Sequence, residues 1–184
     1  MSTAYYYVLA TLPHLRLGDP APVASDKVRA LCRAWLPVAD LRGLAAVLDE
    51  MDEVDEMDVV HETDGPVAAW RGFDTALRNT LVTARAARRG LEAAPYLRTA
   101  DPLDAYTRAL VQECVKLNDP LKAELALDQA RWAFLDNLCA AHAFDFTVLL
   151  GYLLKLRLLE RWQALNAVAG AAFLDSLLTG VSTT

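Results

Sequence analysis

Residues 144–162 read FDFTVLLGYLLKLRLLERW. From Phe146 to Leu159 apolar side chains occupy nearly every helical position instead of one stripe, with Thr147, Lys155 and Arg157 as the interruptions. Leucine dominates, and β-branched residues are confined to Thr147 and Val148, which favours helix over strand. A helix apolar all round is buried on all sides by its neighbours. Asp145, Lys155 and Arg157 make the stretch too charged, and it is too short, to span a bilayer. The segment therefore reads as the central helix of a helical array. Asp145 is placed to cap it, after a tight junction at Phe144-Asp145-Phe146. The helical pattern runs on to about residue 178, with Gly170 able to bend or split it.

The rest of the chain has the same character. Ala and Leu supply 32 residues each, Ile is absent, and Gly and Pro contribute 8 apiece among 184 residues. This composition favours helices and disfavours a β-sandwich, a barrel or a parallel sheet. At 54% hydrophobic residues the chain can fold rather than stay disordered. One all-α domain is expected over 1–184, with an anchor and loop over 1–24 and helical parts over 25–90 and 101–178. Within 1–24, Tyr5-Tyr6-Tyr7-Val8-Leu9 is either extended or one or two helical turns, before Pro13, Gly18, Pro20 and Pro22 break the pattern.

Working along the chain, Ser25 is the expected cap of a helix with Val28, Leu31, Cys32 and Trp35 on one face, ended by Pro37. Asp40 is expected to cap the next, which carries Leu41, Leu44, Leu48 and Met51 and reaches about residue 60. A third helix runs from Pro66 to about Arg89 and stops at Gly90. Asp101-Pro102 and Asp119-Pro120 share the pattern Asp-Pro-Leu-x-Ala and are expected to open the fourth and fifth helices, the fifth reaching about Ala143. The expectation is a bundle or orthogonal array of six to seven helices with short connections.

The formal charge of −6 and pI near 5.0 argue against a nucleic-acid binder. Three cysteines, Cys32, Cys114 and Cys139, suit a reducing cytoplasm. No basic, apolar leader opens the chain, so a cytoplasmic protein is expected. Charge is segregated. Residues 40–64 hold ten acids and one Arg, whereas 65–98 hold six Arg against Asp74 and Glu92. Either two neighbouring helices have complementary edges, or the dipolar surface orients a partner.

The acidic run offers the sharpest catalytic hypothesis. Asp49, Asp52, Asp55 and Asp58 are spaced by three, as are Glu50, Glu53 and Glu56, so a helix would put each set on one face. Such carboxylates could hold Mg²⁺ for hydrolysis of a nucleotide or diphosphate, with Asp49, Asp52, Glu53 and Glu56 lining a cleft. The chemistry also needs a facing acidic pair, for which Glu124 and Asp128 are the best candidates. No Asp-Asp-x-x-Asp string exists, and a solvated acidic face explains the run more simply. His14, His61 and His142 lack metal-ligand spacing, and Cys139-x-x-His142 supplies two ligands with no second pair. No nucleophile elbow, phosphate loop or dinucleotide fingerprint is present. The sequence thus points to no catalytic residue, metal or cofactor.

Three blocks carry a family resemblance. They are Tyr5-Tyr6-Tyr7-Val8-Leu9-Ala10-Thr11-Leu12-Pro13; Phe73-Asp74-x-x-Leu77-Arg78-Asn79-x-Leu81-x-x-x-Arg85-Ala86; and Trp132-x-x-Leu135-Asp136 with Phe144 and Leu150-Gly151-Tyr152-Leu153-Leu154-Lys155-Leu156-x-x-Leu159-Glu160-Arg161-Trp162. They resemble a bacterial family of uncharacterised proteins encoded beside V/A-type ATPase genes. That family is similar to a shortened form of the V/A-type ATPase socket protein, an all-helical, non-catalytic part seated between the membrane rotor ring and the central stalk. The socket protein is much longer, so this chain matches only part of that funnel.

The resemblance implies a non-enzymatic helical subunit or accessory that joins rotor ring to stalk and makes or breaks no bond itself. It implies a peripheral position at the inner membrane face, with no direct insertion and no cofactor. Arg71, Arg78 and Arg85, which recur every seven residues, and Lys155, Glu160 and Arg161 on the apolar helix are the candidate partner contacts. An alternative from another class is a generic helical adaptor for an unrelated protein.

Overall fold

The computed structural model describes residues 3–48, 65–117 and 119–165. Among them are seven α-helices and no strand: α1 Thr3–Ala10, α2 Ser25–Trp35, α3 Val38–Leu48, α4 Pro66–Arg89, α5 Ala105–Lys116, α6 Pro120–Cys139 and α7 Phe146–Ala164. One 3-10 turn, Ala94–Tyr96, lies between α4 and α5. The all-α expectation holds. The acidic run 49–58, His61 and Gly170 with the expected extension of α7 to 178 fall outside the described residues.

The apolar-all-round reading of α7 is borne out by its position. Nine of its residues are buried, and Leu149, Leu150, Leu153 and Leu156 have no exposure. Helices α1, α2, α3, α4 and α6 all touch it. Each fully buried Leu contributes about 1.5–3 kcal/mol of transfer free energy. Where α6 and α7 cross, a side chain at Gly151 would place Cβ 2.4 Å from Cys139 Sγ, so only glycine permits this approach.

Two apolar clusters form. The larger joins α1, α2 and α3 with Val67 and Trp70 of α4, Leu135 of α6 and the inner face of α7. The smaller gathers Ala76 and Leu77 of α4, Leu103, Val111 and Cys114 around α5, and Leu127 of α6. Phe73 packs against both, and its ring stacks on Phe134 at 4.1 Å.

Several helix ends follow the local signals. Gly90 is left-handed (φ 65°), its N–H reaching the carbonyls of Ala86 and Ala87 to close α4. Asp119 accepts from Leu121 and Lys122 N–H to open α6, and Asp145 from Val148 N–H to open α7. Others differ. Asp101-Pro102 does not open α5; Asp104 does, accepting the Thr107 N–H at 3.0 Å and the Thr107 hydroxyl at 2.6 Å. Ser25 is the first helical residue of α2 rather than its cap, and its N–H is satisfied from far away in sequence by Glu160. α3 starts directly after Pro37, so Asp40 sits in its first turn and accepts from the Tyr5 hydroxyl. α6 stops at Cys139, four residues short of the expected end. Tyr5-Tyr6-Tyr7-Val8-Leu9 is helical, within α1.

Candidate functional site

The charges on α7 cannot stay on an apolar helix unpaired, because burying a lone charge costs several kcal/mol. Three of them reach partners on neighbouring helices. Lys155 Nζ lies 2.5 Å from Asp136 Oδ1 of α6 and 5.3 Å above the Trp132 ring. Glu160 Oε1 accepts the Ser25 N–H at 2.6 Å, so α7 supplies the carboxylate that the N-terminus of α2 favours. Arg161 donates to Asp128 and lies 3.6 Å from Glu124.

Asp128 is the hub of this set. Its side chain is fully buried, yet it accepts from Arg161, from Arg131 Nη1 at 2.9 Å and from Trp162 Nε1 at 2.7 Å. Arg131 also donates from Nε to Asp74 Oδ1 at 3.1 Å, and Asp74 pairs with Arg78 at 2.7 Å. The chain Arg78–Asp74–Arg131–Asp128–Arg161–Glu124 alternates sign and ties α4, α6 and α7 together. Burial works against the Arg131 charge, but the carboxylates of Asp74 and Asp128 outweigh it and lift its pKa above the ordinary range.

The six expected contact residues therefore separate. Lys155, Glu160 and Arg161 spend their charge inside the molecule. Arg71 donates to the Ala46 carbonyl at 3.0 Å, tying α4 to α3, and Arg78 pairs within α4. Arg85 is exposed on the far half of α4. The heptad spacing of the three arginines does not make one contiguous surface. Glu124 and Asp128, the pair considered for a facing metal site, hold Arg161 instead. Cys139 Sγ points to the Thr147 carbonyl, and His142 Nδ1 lies 2.6 Å from Asp145, so that pair does not converge as ligands. Among the described residues no three His, Cys, Asp or Glu side chains come together to hold a metal.

Reasoning from sequence missed Asp74 and Arg131, and left Asp128 without this role. A signal was present. Asp128 stands in the otherwise apolar series Leu121, Leu125, Trp132, Leu135, Cys139, at the spacing of a core position. Its two cationic partners lie 3 and 33 residues away, and only the fold brings the second to it.

Two surface features remain. Rings of Tyr6 and Phe144 pack at 4.9 Å and those of Tyr7 and Trp35 at 4.3 Å, while all four stay substantially exposed. Two grooves flank α6. One, about 750 Å³, runs between α4, the start of α5 and α6, with Ala and Gly walls and Asp101 and Asp104 at its edge. The other, about 760 Å³, lies under residues 12–17 against α6 and α7.

These features define an all-α protein whose charges mostly lock helix to helix, with aromatic side chains left on its surface. Comparison with known families adds one match. Residues 104–180 match the family described as "Protein of unknown function (DUF2764)", from the cap of α5 through α6 and α7. The chain is similar to that family over this stretch, which contains the third resemblance block. No curated protein and no solved structure matches the chain. No helix among the described residues is long and apolar enough to cross a membrane.

Proposed function

We propose that this chain is a non-catalytic helical subunit or accessory of a V/A-type ATPase, acting as an adaptor between the membrane rotor ring and the central stalk. The motif resemblance supplies the family. The observation that carries the physical side is the locking of α7: Lys155 to α6, Glu160 to α2 and Arg161 to Asp128. A close-packed body with its central helix pinned at three points resists deformation, as a part that transmits torque must. Contact with partners then falls to exposed groups. The ring cluster of Tyr6, Tyr7, Trp35 and Phe144 has the aromatic composition of interface anchors. Arg85 remains the exposed member of the expected contacts.

Purification of the tagged chain from its native cells under mild detergent tests this. Rotor-ring and central-stalk proteins should co-purify, and Tyr7→Ala with Trp35→Ala should lose them. An ATPase recovered intact and fully coupled from cells lacking the chain would overturn the proposal. Co-purification of an unrelated protein alone would turn it toward a generic adaptor.

A further inference from the structure

The groove of about 760 Å³ beneath residues 12–17 has the size and lining of a ligand site. We propose that it binds a small amphiphilic anion, one carboxylate or phosphate head on an apolar body. Its apolar surface comes from Leu12, Leu17, Phe144 and Val148, with the Trp132 ring on one wall. The Tyr152 hydroxyl donates to the Pro13 carbonyl at 3.0 Å and straps the 12–17 segment across α7, so the roof is built by the fold.

Charge selects the head group. Lys155, Arg16, His14 and His142 line this groove, and among the described residues Asp136 is its one acidic side chain. The Lys155 side chain is 15% exposed and sits over Trp132, whereas that of Asp136 is 59% exposed. An ion pair with so exposed a partner is weak and readily exchanged. Asp136 can turn to water while a ligand anion takes its place on Lys155, with Arg16 on the roof as a second cation. The neighbouring groove of nearly equal size has no basic side chain among the described residues of its lining and carries Asp101 and Asp104. An anion therefore distinguishes between the two. This inference does not depend on the ATPase proposal.

The test is calorimetric titration of the full chain with dodecanoate and with dodecyl phosphate below their micelle concentrations, with dodecanol as the uncharged control. Both anions should bind at one site, dodecanol about tenfold or more weaker, because a charge-assisted hydrogen bond is lost. Arg16→Ala, at an exposed position, and Lys155→Gln should each weaken anion binding by a similar factor. Thermal melts confirm that both variants are folded. Sedimentation with vesicles containing phosphatidic acid then assigns the source: co-sedimentation places the head group in a bilayer, and binding of the free anions alone places it in solution. No binding heat, equal affinity for dodecanol, or full affinity in Arg16→Ala would overturn the proposal.

Discussion

Asp128 takes its three donors while fully buried, and two of them are cations. A buried ion pair adds little net stability over a well-packed apolar substitute, but removing one partner leaves uncompensated charge. Asp128→Ala should therefore cost about 3–5 kcal/mol, read as a lower urea midpoint with unchanged slope. An effect below about 1 kcal/mol would mean that Glu124 and Asp74 suffice to hold both arginines. Gly151 makes a second claim at this scale. Gly151→Ala pushes Cβ to 2.4 Å from Cys139 Sγ and should cost about 1–3 kcal/mol by overpacking. Cys139→Ala removes the obstructing sulfur, so the same change in that background should cost much less. Additive losses in this double-mutant cycle would disprove the close approach. The three thiols contribute through packing: burial pushes Cys32 up to about 11 and raises Cys114 and Cys139, which suppresses the reactive thiolate.

Helix ends divide into those written locally and those supplied from a distance. Asp119-Pro120, Asp145 and Arg89-Gly90 carry their instructions within a few residues, and each was legible in the sequence. Asp101-Pro102 looks equivalent to Asp119-Pro120, yet Asp104 with Thr107 provides two hydrogen bonds and takes the start of α5. The N–H at the start of α2 is answered by Glu160, and no local rule could find a partner 135 residues away. Asp145 allows a quantitative test. Asp145→Ala should cost about 1 kcal/mol through loss of the α7 cap. Burial alone would raise the Asp145 pKa, but hydrogen bonds from His142 and from the Val148 N–H bring it below the ordinary value of 3.8. A depressed carboxylate pKa gives stability that is fully present above the unfolded value and is lost as pH falls through the folded one. Thermal stability should therefore decline as pH drops below about 4, and Asp145→Asn should flatten that decline. An Asp145→Asn profile parallel to wild type would place the acid sensitivity elsewhere.

At the scale of the whole molecule, the burial is uneven. Among the described residues the cluster around α7 holds eighteen buried side chains, and the cluster around α5 holds six. The central place of α7 was legible because apolar character on every side leaves a helix no surface to show water. The modest burial of α5 was not, since Tyr106 and Leu117 extend its apparent apolar stripe yet stand 78% and 45% exposed. Local opening energy follows buried apolar contact, so α5 should open sub-globally while α7 opens only with global unfolding. Hydrogen exchange across a low-urea series should then show the Ala105–Lys116 amides losing protection first, and those of 149–159 last. Leu103→Ala, which empties the small cluster beside α5, should cost about 2–5 kcal/mol. It should lower protection in α5 more than in α7. The competing force is the ionic chain from Arg78 through Asp74, Arg131 and Asp128 to Arg161 and Glu124, which crosses from α4 and α6 into α7. If that chain makes the two clusters open together, α5 and α7 will share one protection value and the two-tier prediction fails. If α5 opens alone, the ionic chain marks the boundary where local opening stops. Its charges then fix the edge of the stiff body that surrounds α7.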